Sequence, residues 1–361
     1  MSGVWKELRH SPVYWLLAFV PVVFAAEKAR PESHTALFLL SVLAIVPLAA
    51  LLSHATESVA AKTGDAIGGL LNATLGNLTE LVIAITALRA GMFDLVKASI
   101  AGAIVTNGLF MLGGAFLLGG LRHHVQEFNP RNARVQSGML LLASIGLVIS
   151  SATTRIDQLN VASFKMPLGL TISFILLGTY ALSLFFSLGT HKELFTSAEG
   201  GEHGETPWPL PAALGTLAAV TVLIALVSEI FVGSVTEAGK SLGLSQSFVG
   251  FVVVSLVGAA AEMTAAFSAA RKNRPDLSVG IAMGSSVQIA LFVAPALVLL
   301  SYVLAPTPMD LTFAGGHVLM VLLTTLTVSM VVATGHSAWY SGVQLLAVYL
   351  TFAATLYLLP N

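Results

Sequence analysis

The chain of 361 residues contains no cysteine, which removes disulfides, thiolate zinc sites, iron–sulfur ligation and cysteine nucleophiles from consideration. Charge is also scarce. Only 10% of residues are Asp, Glu, Lys or Arg, against about 25% in a soluble domain. The net charge of -1 leaves no basic field to hold nucleic acid. Uninterrupted alternation of apolar and polar residues, the mark of a membrane barrel, is missing as well. Apolar side chains dominate instead: 56% of the chain is hydrophobic and the mean hydropathy is +0.86. A soluble fold of this length could not hide that surface in one or two cores, and the same composition excludes disorder. The sequence is that of a polytopic, integral membrane protein.

A helix crossing about 30 Å of hydrocarbon needs about 20 mostly apolar residues, and helices are the remaining way to satisfy a backbone in lipid. Eleven apolar segments meet this pattern: 11–26, 35–53, 66–88, 95–120, 135–152, 167–189, 210–230, 247–270, 277–304, 311–333 and 338–359. The expected fold class is therefore all-α, with about eleven transmembrane helices. In the first segment, Lys6 and Arg9 precede an apolar run and Phe24-Ala25-Ala26 resembles a cleavage site. It is read as a retained helix in preference to a signal peptide. The longest polar stretch, 190–209, holds Glu193, Glu199, Glu202, Glu205, His191 and His203. It reads first as a linker between halves and second as a cation sensor. With eleven spans, Lys and Arg divide ten to seven in favour of the N-terminal side. That division puts the N-terminus and the linker in the cytoplasm, and in a prokaryote the membrane is the inner, cell membrane.

Sliding the sequence by 182 aligns 68–112 with 250–294 without a gap, and 12 of 45 positions are identical. The matches include Gly76 with Gly258, Glu80 with Glu262, Arg89 with Arg271, Asp94 with Asp276, Gly102 with Gly284 and Phe110 with Phe292. Apolar bias pairs Leu with Leu; it does not pair Glu, Arg and Asp in register. The expected organisation is an extra N-terminal helix (1–34), a five-helix repeat (35–189), the acidic linker (190–209) and a second five-helix repeat (210–361). An odd number of spans per copy inverts the second copy in the membrane, which places a substrate site at the midplane.

Glu80 and Glu262 each lie nine residues before the Arg that ends their helix. At 1.5 Å per residue that is about 13–14 Å from the boundary, near the centre of the hydrocarbon. A charge there costs at least about 2.5–3.5 kcal/mol, and no Lys or Arg lies within a helix turn of either acid. Two acids at matched depth in matched repeats are expected to meet across the pseudo-two-fold axis. Such a pair is either protonated or shares a cation, and with no sulfur and no clustered imidazole a hard ion such as Ca2+ suits it. The two states exclude each other, which is the minimum for cation/proton exchange. The plainer reading is a pair of protonated carboxyls that brace the bundle.

Supporting groups lie close in sequence. Gly76 and Gly258 stand four residues before each Glu, and Asn72 eight before Glu80, on one face of a continuous helix. Asn77 and Thr79 add oxygens. One hairpin later come Thr106 and Asn107 in the first copy, and Ser285 and Gln288 in the second. Such residues serve equally as site-lining groups and as interhelical hydrogen bonds. Glu57, Asp65, Glu229 and Glu237 are placed at a water interface or on an ion access path. His54 and His317 fall at helix ends and read as interfacial; Trp15, Trp208 and Tyr302 fit an aromatic belt.

At these residues the chain resembles the calcium/proton exchanger (CAX) family of the calcium/cation antiporter superfamily. The run from Gly68 through Gly76-Asn77-Leu78-Thr79-Glu80-Leu81 is similar to that family's first-repeat signature. The run Gly280-Ile281-Ala282-Met283-Gly284-Ser285-Ser286-Val287-Gln288 through Val293 is similar to the second. The resemblance implies an antiporter that exports Ca2+ against an inward proton gradient, with no cofactor. It implies that Glu80 and Glu262 alternate between metal and protons, and that Asn77, Ser285 and Gln288 line the site. The family reads Gly-Asn-Ala-Ala-Glu-His around the second acid, often after a Pro. Here Ala259, Met263 and Ser255 stand in place of Asn, His and Pro, which bears on ion selectivity. Mn2+, Na+ and K+ stay open as substrates, Na+ or K+ antiport being the alternative within the family. Gln288 stands where sodium/calcium exchangers carry a further carboxylate, which argues against sodium coupling. A membrane enzyme would need paired Asp or a His-Glu-x-x-His motif, and neither occurs. A channel would conduct without a counter-ion.

Overall fold

The computed structural model describes residues 12–63, 65–153, 161–191 and 207–358. Most of the acidic linker (192–206) therefore lies outside the described residues, as do Lys6 and Arg9. A 3-10 turn, Pro12–Ala18, leads into α1 (Phe19–Ala29), and then follow α2 (His34–Thr63), α3 (Asp65–Leu75), α4 (Leu78–Arg89), α5 (Phe93–His123), α6 (Pro130–Ala152) and α7 (Phe164–Thr190). The second half runs α8 (Leu210–Leu242), α9 (Gln246–Gly258), α10 (Ala260–Arg271), α11 (Pro275–Leu304), α12 (Gly315–Val332) and α13 (Trp339–Leu358). Eight of these are long and apolar enough to cross a membrane, and a ninth span is made if the bent pair α9–α10 counts as one. Each of the eleven expected segments contains helix, but 66–88 is a pair broken at Gly76-Asn77 and 247–270 is a pair bent by 58°. Val303, Met330 and Phe174 stand exposed on the perimeter, where lipid is the solvent they fit.

Local chemistry sets the helix ends. Asn129 caps α6 by accepting from Arg131 N at 2.9 Å, with Pro130 at the first helical position. Ser245 caps α9 through Phe248 N, and Gly243 ends α8 with φ of 68°. Buried hydroxyls turn back on their own helices, as Ser137 does on Ala133 O and Ser234 on Ile230 O. Ser144 also reaches Thr325 Oγ1 at 2.7 Å, tying α6 to α12.

Two clamps tie the halves together, one on each face. On the first face, β1 (Val125–Glu127) pairs antiparallel with β2 (His336–Ala338), Gln126 opposite Ser337. From this ribbon Gln126 donates to Ala270 O (2.9 Å) and Asn273 Oδ1 (2.8 Å), while Asn129 N donates to Asp276 Oδ1 at 2.7 Å. The start of α8 joins the same face, where Trp208 N meets Ser58 Oγ. On the opposite face, Asp310 takes Lys97 and Lys165, each at 2.8 Å, together with Thr312. Burial pushes the Asp310 carboxyl up, but hydrogen bonds from Lys165, Lys97 and Thr312 outweigh it and hold the group well below the usual carboxylate range.

A folded-state value below the unfolded one, about 3.9, means that the stabilisation from Asp310 is complete above that value. It is lost as pH falls through the folded value. Asp310→Asn is expected to lower unfolding free energy by about 1–3 kcal/mol, read as a drop in melting temperature in detergent between pH 5 and 8. An unchanged melting temperature there counts against the clamp.

Candidate functional site

Both broken helices restart at the same place relative to their acids. Asn77 (φ −100°, ψ 30°) and Ala259 (φ −78°, ψ 2°) leave helical geometry, and Glu80 and Glu262 then occupy the first turns of α4 and α10. A first turn carries unpaired N–H groups and the positive end of the helix dipole, which favours a carboxylate buried there. The breaks therefore offset part of the cost of placing acids at this depth.

The two acids belong to one site. Glu80 crosses to the other repeat and rests on Gly258, where an added Cβ would fall 2.9 Å from Glu80 Cγ and 3.1 Å from Oε1. Glycine is required there by close approach. Glu262 lies within electrostatic reach of Glu80, of the Ser285 hydroxyl and of the exposed Glu57. Glu80 Oε1 and Glu262 Oε2 are both buried with no hydrogen-bond partner among the described residues. Three or more His, Asp or Glu side chains do not gather anywhere among those residues, so a cation held by this pair would complete its shell from hydroxyls, amides, carbonyls or water.

The supporting residues sort into contacts that link the repeats. Asn77 Nδ2 donates to Gln288 Oε1 at 2.6 Å, and Ser285 Oγ donates to Asn77 Oδ1 at 2.8 Å. A Cβ on Gly76 would stand 3.4 Å from Gln288 Oε1. Thr106, which the 182-residue shift equates with Gln288, meets Ser255 Oγ at 2.8 Å. Each equivalent position thus reaches the broken helix of the other repeat. Ser255 also donates to Phe251 O at 2.5 Å, closing the carbonyl that a proline there would leave free. Asn107 is buried with both amide atoms unpartnered among the described residues, and Thr79 is buried beside Glu80.

Three residues are placed otherwise than the sequence suggests. Asn72 is exposed and is not brought to the carboxylates by any described contact; the same-face spacing assumes a continuous helix, and the break at Gly76-Asn77 intervenes. Trp208 is not a belt residue, being buried and in ring contact with His54 at 4.4 Å. His317 is buried instead of interfacial. The Thr106–Ser255 bond escaped the sequence reading altogether, because each hydroxyl alone looks like an ordinary intramembrane Ser or Thr.

The two half-helices that precede the breaks are seated differently. In α9, Phe251 lies backbone to backbone against Gly102 of α5, where a Cβ would fall 2.5 Å from Phe251 Cα. Gly284, the counterpart of Gly102, has nothing within 4 Å of a built Cβ. Helix α3 packs on the end of α2 instead of along α11, and Thr264 and Ala265 beyond Glu262 are exposed.

The family model described as "Sodium/calcium exchanger protein" matches residues 33–189 and 212–358. A Ca(2+)/H(+) antiporter of Synechocystis sp. is 38% identical over 96% of this chain and 97% of its own length. The Ca(2+)/H(+) antiporter ChaA of Bacillus subtilis is 36% identical over 90% and 92%, and vacuolar cation/proton exchanger 2 of Oryza sativa subsp. japonica is 34% identical over 99% and 84%. Among solved structures, native YfkE superposes with a TM-score of 0.83 at 33% identity, covering 96% of this chain and all of that one. An H+/Ca2+ exchanger CAX gives 0.72 at 17% identity, over 96% and 88%, which bears on fold alone.

A double-mutant cycle tests the Thr106–Ser255 link. Thr106→Val and Ser255→Ala are each expected to cost about 1 kcal/mol, with a coupling of about 0.5–1.5 kcal/mol, read from denaturant unfolding in micelles. Strictly additive effects would show that the two hydroxyls act independently.

Proposed function

Since the chain belongs to the sodium/calcium exchanger protein family, we propose that it is a secondary transporter, not an enzyme, that exchanges Ca2+ for protons across a membrane. The observation that carries this reading is the meeting of Glu80 with the hinge glycine of the other repeat, within electrostatic reach of Glu262. Two carboxylates carry a charge of −2, which one Ca2+ or two protons balances, so the loads compete for the same oxygens. The relatives named as Ca2+/H+ antiporters support the choice of ions. Mn2+ fits the same hard donor set; Na+ and K+ leave half the charge uncompensated per ion.

In this reading residues 35–189 and 210–361 are the two inverted repeats, 1–34 adds a helix, and the linker 190–209 faces the cytoplasm with the N-terminus. The Asn77–Ser285–Gln288 and Thr106–Ser255 links set the gap between the repeats, and Gly76 and Gly258 let the hinges approach it. Asn107 and Thr79 line the same layer. Seating of α9 on α5 closes the site toward the face with the Asp310 clamp, while the displaced α3 leaves it open toward the ribbon face.

Purified protein in liposomes with an imposed pH gradient should take up Ca2+ and collapse the gradient, with Mn2+, Na+ and K+ compared in the same assay. Glu80→Gln and Glu262→Gln are each expected to reduce exchange at least a hundredfold while the protein still inserts and elutes as wild type. Near-normal flux in either variant, or Ca2+ flux driven by Na+ at clamped pH, defeats the proposal.

A further inference from the structure

The half-helix that closes the clamp face is braced by a titratable group with no part in the carboxylate pair. A cavity of about 880 Å³ opens on that face between the last turns of α8 and the first turns of α5, α9 and α12. Val235, Thr236 and Gly239 form one wall and Val249 another, so the empty space lies between α8 and the seated α9. In the first repeat the equivalent space is filled, because α3 packs on the end of α2. His317, the third residue of α12, lines this cavity yet is only 4% exposed. Its ring stacks on Phe251 with centroids 5.4 Å apart and planes 27° from parallel. Phe251 is the residue whose backbone seats on Gly102.

We propose that His317 is a proton-operated latch on this face. The neutral imidazole holds Phe251, and with it α9, against α5; protonation from the cavity releases α9 into the adjoining space and opens the face. Imidazole is the side chain whose ordinary titration falls between pH 5 and 8. Neutral, it packs as an aromatic ring. Charged and this deeply buried, it needs water or a counter-charge. Asp94 of α5 is the acid within electrostatic reach. The other charged groups on the cavity lining are Lys97 of α5, Lys165 of α7 and Lys240 of α8. Lys97 and Lys165 are held by Asp310, and Lys240 by Glu237 at 2.8 Å. From α9 the lining takes only Gln246, Ser247 and Val249, and from α13 only Leu356. The imidazolium is therefore best stabilised by admitted water and by Asp94, and in this proposal the hydrated ring gives up its stack on Phe251. The latch rests on the proposed exchange only for its purpose, which is to open this face when protons are present there.

The absence of cysteine makes the test clean. Val249→Cys, on the cavity wall, is labelled with a membrane-impermeant maleimide at pH 7.5, 6.5 and 5.5. Each rate is divided by that of Leu242→Cys under the same conditions, which removes the intrinsic pH dependence of the thiol. The normalised rate is expected to rise at least fivefold from pH 7.5 to 5.5, and the rise is expected to vanish in His317→Gln and His317→Phe backgrounds. A flat parent profile, or an undiminished rise in His317→Gln, overturns the latch. If Val249→Cys does not fold, Thr236→Cys on the facing wall is read by the same criteria. Labelling needs no cation gradient, so failure here is distinct from failure of the exchange assay.

Discussion

A carboxylate at the centre of a bilayer must find either a proton, a cation or a field that favours it, and the helix breaks in this chain answer that demand. By stopping at Asn77 and Ala259 and starting again one residue later, the chain gives Glu80 and Glu262 the N-terminal turn of a new helix. The same breaks bring a glycine of one repeat under the acid of the other. A continuous helix would offer neither, since its interior N–H groups are all engaged. The depth of the acids, the position of the hinges and the need for glycine at Gly258 are thus one constraint seen from three sides.

The repeats share a scaffold but not a set of contacts, and the difference is informative. Thr106 and Gln288 occupy equivalent positions, and each bonds across to the broken helix of the other half, one to Ser255 and the other to Asn77. Gly102 and Gly284 are also equivalent, yet one is covered by Phe251 and the other faces open space. Identical seats in two conditions within a single molecule are what a two-state device with internal pseudo-symmetry contains at any moment. The cavity beside α9 and the packed end of α2 beside α3 are the corresponding vacant and filled spaces.

Much of this was readable from the chain. In a background of Leu, Val and Ala, a Glu, an Arg and an Asp recurring in register stand out far above compositional noise, so the duplication and the paired acids were legible without a structure. The helical spans were legible as apolar segments, because lipid imposes length on each, although eight helices, or nine with the bent pair, pass as spans among the described residues. What periodicity could not carry was the geometry across a break. Asn72 shares a face with Glu80 only if residues 66–88 are one helix, and they are two. Position at a helix end suggested an interface for His317, and residue type suggested an aromatic belt for Trp208, but tertiary neighbours bury both. Asn77, Ser285 and Gln288 read equally as site-lining groups and as interhelical hydrogen bonds, and the structure bonds them to one another. Pairings between distant segments of this kind have no local signature.

Those pairings also bear on how the site chooses its ion. Asn77 commits its carbonyl to Ser285 and one amide proton to Gln288, and the counterpart hinge residue, Ala259, brings no amide at all. Met263 and Ser255 likewise remove an imidazole and a proline from the second hinge, and Ser255 closes the Phe251 carbonyl that proline would have freed. The Asn77, Ser285 and Gln288 side chains are thus held in place by one another, and each oxygen keeps a lone pair beyond the bond it makes. Glu80 and Glu262 each bury one carboxylate oxygen that has no hydrogen-bond partner among the described residues, and in the proposed exchange such a pair gains most from a load that cancels both charges at once. On that proposal, charge balance between the two acids and their load is what sets a divalent ion or a pair of protons ahead of a single monovalent ion.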